Sequence, residues 1–164
     1  MLYKQGVIAA VRRHGARYFQ TGPADARIAI LAQLGGEIAG LYGRTVPTVH
    51  LRSVRPDGMR RDALGSASVE GIDLYGKLSL VTFLHELYHW LTLGSSVGSD
   101  ELVARQWSVS LLIRAIPRQA GKCTIAMGNV ALQPRRNRPG NRVRRALRSS
   151  VAQGGEVQQT EAAV

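Results

Sequence analysis

The chain has 164 residues, 45% hydrophobic and 20% charged, a balance typical of one globular domain and not of a disordered chain. A membrane span needs about eighteen consecutive apolar residues, and no apolar run in the chain is that long. The segment from Met1 to Gln20 also lacks the apolar block of a secretory signal. We therefore expect a cytoplasmic protein without a membrane span. The single cysteine, Cys123, excludes an intramolecular disulfide and any site built from several cysteines.

The net charge of +11 is concentrated near one end of the chain. Arg114 to Arg148 contains ten basic residues and no acidic residue. Such a block attracts nucleic acid, an acidic partner or an anionic surface, or it is a solvated tail, and charge by itself does not distinguish these. Apolar residues are sparse from Gln133 to Val164. We therefore predict a domain over residues 1–132, followed by a basic, disordered tail over residues 133–164.

Two helices are predicted in the N-terminal part of the chain. Met1 to Tyr18 places apolar side chains near one helical face, and Thr21-Gly22-Pro23 interrupts the pattern. Proline suits the first turn of a helix, so a second helix is predicted to begin at Pro23 and to end at Gly43.

Two strands are predicted next, on either side of a turn at Pro56-Asp57-Gly58. Thr45 to Val54 is rich in β-branched residues, and Ser66 to Tyr75 reads as one further strand. We expect a short antiparallel sheet, in which the second strand pairs with the first or with a short neighbour.

Two more helices complete the predicted domain, which makes the fold class α+β. Leu78 to Leu93 has the clearest helical pattern, and a second helix, capped by Ser99, is predicted to run to about Ile116. Thr124 to Leu132 is predicted as a short strand or an irregular segment.

The chemistry is concentrated in the helix predicted over Leu78 to Leu93, which contains His85-Glu86-Leu87-Tyr88-His89, the pattern H-E-x-x-H. Residues four apart on an α-helix differ by about 40° in direction and about 6 Å in height, so two imidazoles can reach one metal ion. Zinc accepts such ligands and lowers the pKa of bound water to about 7. Glu86 can then take the proton of that water. The alternative interpretation is a surface helix with an acidic residue between two solvated histidines.

A third metal ligand is predicted at the start of the following helix, because a short loop returns its first turns towards His89. Glu101 is the leading candidate and Asp100 the second. Two other roles are open to Glu101. It can stabilise the positive helix N-terminus, or it can pair with Arg105 four residues later.

With Glu101-Leu102-Val103-Ala104 following the H-E-x-x-H segment, the sequence resembles the gluzincin class of zinc metallopeptidases. Within that class it is most similar to the ImmA/IrrE-type family. In that family a strand, an H-E-x-x-H helix and a Glu-bearing helix follow one another. The corresponding segments here are Gly71 to Tyr75, Phe83 to His89, and Glu101 to Ile113. The resemblance covers about Val69 to Ile113, less than a third of the chain.

The resemblance implies a zincin-like domain that hydrolyses peptide bonds. His85 and His89 match the ligand histidines, Glu86 matches the general base and Glu101 matches the third ligand. Two positions depart from the family pattern: Tyr88 stands where glycine is usual, and the family's Ala-Asn pair is replaced by Ala104-Arg105.

Two other functions stay open. A SprT-like protease acting on DNA-bound proteins would use the basic tail to hold nucleic acid, but such enzymes add a third histidine and no histidine follows His89. A nucleic-acid-binding protein with a structural or vestigial zinc site is the alternative outside the enzymes.

An oxyanion formed during hydrolysis needs a donor besides the metal. The candidates are Tyr75, Tyr88, His50 and Arg105. The strand ending at Tyr75 is either an edge that pairs with an extended peptide substrate or an ordinary core strand.

Overall fold

The computed structural model describes residues 4–60, 62–96 and 98–120. This part of the chain is α+β, as predicted, with a short extra helical turn over residues 117–120. Its main elements are, in chain order, α1 (Gln5–Gln20), α2 (Ala24–Leu41), β1 (Thr48–Arg52), β2 (Gly65–Ser68), β3 (Gly71–Tyr75), α3 (Leu80–Leu91) and α4 (Glu101–Ala115). The predicted segment Thr124 to Leu132, the basic tail and the boundary between residues 132 and 133 lie outside the described residues.

The two predicted N-terminal helices are confirmed, with small shifts at their ends. Pro23 is the N-cap of α2, with extended backbone angles, and not the first helical residue. After α2 the chain turns at Gly43, where φ is +66°, a left-handed conformation that glycine adopts without steric cost.

The sheet differs from the prediction in two ways. Ser66 to Tyr75 is not one strand but a hairpin, in which β2 and β3 pair antiparallel around Val69 and Glu70. β3 lies in the middle of the sheet and pairs parallel with β1, so the sheet is mixed and not antiparallel. The hairpin causes both differences, because its extra reversal of the chain leaves β3 running in the same direction as β1.

Helix α3 lies at the centre of the domain, where it packs against α2, α4, β2 and β3. Ten of its twelve residues are buried, and His85 and His89 are the two that are not. Ser79 caps the helix by accepting a hydrogen bond from the Thr82 amide. Among the described helices, none combines the length and apolar character needed to cross a membrane.

Helices α1 and α2 are joined by an ion-pair network around Glu37. Arg13 donates a hydrogen bond to one carboxylate oxygen, and His14 Nε2 lies 2.9 Å from the other. The bond from Arg13 is the main reason why the pKa of Glu37 lies below its usual value of 4.5. Folding therefore favours the ionised carboxylate, and its stabilisation is lost as the pH falls through the lowered pKa.

We expect Glu37→Gln to lower the free energy of unfolding by about 1 kcal/mol at pH 7, a value reduced because the side chain is partly exposed. The loss should shrink as the pH falls below 4.5, where the unfolded state gains its proton first. Urea unfolding at pH 7 and pH 3.5 measures both. Gln33→Ala, which removes an uncharged partner of Arg17 in the same interface, is the control and should cost the same at both pH values. A Glu37→Gln cost independent of pH contradicts the assignment.

Candidate metal centre

The two histidines of α3 point towards each other at one end of an open cavity. Their Nε2 atoms are 3.1 Å apart, and each side chain is little more than a tenth exposed. The helical spacing of four residues places the imidazoles one turn apart on the only side of α3 that is not buried.

Helix α4 brings a carboxylate to these imidazoles. Glu101 Oε2 is 3.0 Å from His85 Nε2, and Glu101 Oε1 is 3.5 Å from His89 Nε2. Within the described part of the chain, Glu101 makes no ion pair with Arg105, the alternative partner that the sequence allowed. The short loop between α3 and α4 is sufficient to place Glu101 against both histidines.

Asp100 has a different position from the one predicted. It is the N-cap of α4, and its Oδ1 accepts hydrogen bonds of 3.0 Å from the Leu102 and Val103 amides. The prediction that Ser99 caps this helix is therefore wrong. Asp100 outcompetes Ser99 because its carboxylate meets two amide donors at the positive end of the helix. Asp100 lies outside the group formed by His85, His89 and Glu101.

The group formed by His85, His89 and Glu101 is close enough to hold a metal ion. Its three contacts measure 3.0, 3.1 and 3.5 Å. Ligands about 2.0–2.1 Å from a tetrahedral zinc ion lie about 3.3–3.4 Å from one another, so the spacing of the donors fits such an ion. Two imidazoles and one carboxylate suit zinc and other divalent transition metals.

A backbone carbonyl fixes the orientation of His89. Its Nδ1 is 2.6 Å from the carbonyl oxygen of Gly98, which can only accept a hydrogen bond. The proton therefore sits on Nδ1, and the lone pair of Nε2 is directed towards His85 and Glu101. A side chain at residue 98 would overlap the Thr92 carbonyl, so glycine is needed there. No local sequence pattern indicated this role of Gly98.

Burial keeps His85 in the form that binds metals. Desolvation lowers its pKa below the usual 6.5, and the neighbouring His89 adds to this effect, although Glu101 opposes it. The imidazole is therefore neutral at pH 7, and no proton has to leave before it can act as a ligand.

Glu86 lies in the same cavity but is not part of the three-residue group. Only 8% of its surface is exposed, and burial, with a smaller contribution from Glu101, raises the pKa of its carboxyl from 4.5 to about 7. The start of β2 packs against it, since a Cβ atom on Gly65 would lie 2.6 Å from Glu86 Cγ. The H-E-x-x-H pattern predicted Glu86, whereas no pattern predicted Gly65, because the contact between Gly65 and Glu86 joins residues distant in the chain.

The cavity has a volume of about 480 Å³ and is lined by β2 and the loop before it, by α3, and by the start of α4. Its charged lining residues are Arg60, Asp62, Glu86, Glu101 and Arg105. Arg60 and Asp62 form a two-bond ion pair of 3.1 and 2.8 Å.

The four candidate oxyanion donors are placed very differently. Tyr75 is buried and its hydroxyl bonds Ser66 Oγ at 2.8 Å, while Tyr88 is fully buried in the core beside Trp107. His50 is exposed on β1, the strand on the opposite side of β3 from β2. Arg105 is the one of the four that lines the cavity.

Comparison of the chain with protein-family models, curated proteins and solved structures found no match.

Metal content of purified variants tests the group directly. We expect the wild-type protein to bind one zinc ion, and His85→Ala, His89→Ala and Glu101→Gln each to lower the zinc affinity by at least about 100-fold. Asp100→Asn is the matched control, because asparagine keeps the helix cap and removes a neighbouring carboxylate. Competition with a chromogenic chelator measures the affinities. If zinc binding survived Glu101→Gln but not Asp100→Asn, the third ligand would be Asp100 and not Glu101.

Proposed function

We propose that the protein is a zinc-dependent metallopeptidase that hydrolyses peptide bonds. The observation that carries the proposal is the convergence of His85, His89 and Glu101 beside a buried carboxylate, Glu86, in one open cavity. A metal site that is only structural has no need of a further acid or base next to it, or of an open cavity in front of it.

Zinc held by His85, His89 and Glu101 would polarise the substrate carbonyl and acidify a water molecule. Glu86 would act as the general base, because its buried carboxyl lines the cavity beside the three ligands, and burial raises its pKa to about 7 before a cation is bound. After it has taken the proton from water, the same carboxyl can donate it to the amine that leaves. A residue that first accepts and then donates a proton works best when its pKa is near the working pH.

The position of strand β2 supports the proposal that the substrate is an extended peptide. It is an edge strand of the described sheet, paired on one side with β3, and Gly65, Ser66 and Ala67 line the cavity. A peptide can add to such an edge through backbone hydrogen bonds. Leu64, which precedes β2 and also lines the cavity, is 44% exposed and offers an apolar contact. The peptide backbone would thereby reach the metal ligands in a defined direction.

The resemblance to the ImmA/IrrE-type family supports the same assignment and a cytoplasmic location, both as proposals. The order of strand, H-E-x-x-H helix and Glu-bearing helix is present as β3, α3 and α4. The SprT-like alternative gains no support from the other histidines, since His14 bonds Glu37 and His50 is exposed on β1.

Glu86→Gln separates the enzyme from a binding protein with a structural or vestigial zinc site. Glutamine has nearly the same shape but cannot take a proton, so we expect peptide hydrolysis to fall by about 10²–10⁴-fold while zinc is retained. Cleavage of a quenched fluorescent peptide mixture and metal analysis of the same sample provide the two measurements. Unchanged hydrolysis by Glu86→Gln would reject the general base. A wild-type protein that binds zinc and DNA but cuts no peptide would favour the binding protein.

Gly65→Ala tests whether β2 holds the base in place. The added methyl group would meet Glu86 Cγ, so the carboxyl has to move, and we expect hydrolysis to fall by about tenfold or more. Zinc affinity should change little, because the three atoms nearest to the added methyl group belong to Glu86 and Asp73 and not to a proposed ligand. Gly22→Ala is the control: nothing lies within 4 Å of the added atom, and its activity should equal that of the wild type. Full activity in Gly65→Ala would show that this contact does not position Glu86.

A further inference from the structure

The charges that line the cavity do not balance once the site holds a divalent ion. Arg60 and Asp62 neutralise each other through two hydrogen bonds. The carboxylate of Glu101 faces the imidazoles and would offset one of the two positive charges of the metal ion, so the ion would add to the positive charge and not reduce it. Glu86 is reserved for proton transfer in the proposed reaction. Arg105 is the lining charge that remains.

Arg105 lies one helical turn after Glu101, so both side chains are on the same side of α4. It is exposed and lines the cavity. Within residues 4–60, 62–96 and 98–120, its guanidinium forms no ion pair. Of the four other charged lining residues, two pair with each other, Glu101 faces the imidazoles, and Glu86 serves the proposed chemistry.

We propose that Arg105 is a specificity-determining residue that binds a carboxylate of the substrate close to the scissile peptide bond. This inference rests on the proposed hydrolysis and names the class of peptide that the site prefers. A guanidinium matches the two oxygens of a carboxylate with two parallel N–H donors, which makes the pair stronger and more directional than one formed by a lysine. The position of Arg105 beside Glu101 restricts the recognised group to the residues adjoining the bond that is cut.

The carboxylate can come from two sources. An aspartate or glutamate side chain within the peptide would make the protein an endopeptidase with an acidic preference. The terminal carboxylate of a chain would make it a carboxypeptidase. Both present the same planar anion to Arg105, and they differ in whether amidation of the C-terminus abolishes cleavage.

The test begins with a peptide mixture digested by the zinc-loaded full-length protein, with cleavage sites read by mass spectrometry. The best peptide is then made with Glu, Gln or Lys at each position near the scissile bond, and with a free or amidated C-terminus. We expect the wild-type protein to cut a carboxylate-bearing peptide about tenfold faster in kcat/KM than its neutral partner. Arg105→Gln should remove this preference mainly through KM, and Arg105→Glu should favour the Lys peptide.

Arg118→Gln is the matched control. It removes the same charge from an exposed position that does not line the cavity, so it should keep the wild-type preference. Equal rates for charged and neutral peptides would overturn the inference. So would an Arg105→Gln variant that lowers kcat equally for every peptide, because Arg105 would then stabilise the oxyanion and not select the substrate.

A binding measurement separates the inference from the proposed hydrolysis. Zinc-loaded Glu86→Gln protein, with and without Arg105→Gln, is titrated with fluorescein-labelled Glu and Gln peptides, and anisotropy gives the Kd values. Tighter binding of the Glu peptide that depends on Arg105 supports the carboxylate site even if the wild-type protein cuts nothing, in which case only the hydrolysis fails. Cleavage without such a dependence rejects the carboxylate site and retains the hydrolysis.

Discussion

The burial of α3 is the constraint on which the rest of the domain depends. The helix is enclosed by α2, α4 and the sheet, and all of its residues except the two histidines are buried. Its rotation about its own axis is therefore fixed by core packing with side chains such as Phe83, Leu84 and Leu87. Since a rotation would expose leucine and bury imidazole, the same packing that stabilises the fold also fixes the direction of the candidate ligands.

The site also contains an ionisable group, the Glu86 carboxyl, whose charged form is disfavoured by burial. Burial of the Glu86 carboxyl raises its pKa, which means that the ionised form costs free energy in the folded protein when no cation is nearby. Close backbone approaches add to this arrangement, at Gly65 beside Glu86 and at Gly98 beside Thr92. A buried carboxyl whose ionised form is disfavoured is typical of functional sites and costs stability. A divalent ion beside Glu86 would offset part of this cost.

Local patterns were sufficient to predict the helices and the residues of the H-E-x-x-H segment, because helical periodicity and spacing depend on neighbours in the chain. They were not sufficient for the sheet. The hairpin around Val69 and Glu70 has no strong turn residue at its centre, and the parallel pairing of β1 with β3 joins residues far apart in sequence. The role of Gly65 depends on the same kind of distant contact, with Glu86, whereas Gly98 contacts Thr92 and His89 within one loop whose path no local pattern predicted. The helix cap was predicted at Ser99 and not at Asp100, because Ser, Asp and Glu in succession are all acceptable near a helix N-terminus.

The hydrogen-bonding capacity of the three candidate ligands argues for a cation in their midst. His89 Nδ1–H donates a hydrogen bond to the Gly98 carbonyl, which leaves Nε2 of the neutral ring as an acceptor, and the oxygens of an ionised Glu101 are acceptors as well. His85 Nε2 can supply one proton at most, yet it lies within 3.1 Å of both the other groups. An exposed ion pair between Glu101 and Arg105, four residues apart on α4, would be worth only about 0.3–0.5 kcal/mol. Hydrogen bonds within the group can use only that one proton, whereas a metal ion would accept a lone pair from each of the three side chains, and its binding would stabilise the group far more than the weak helical pair.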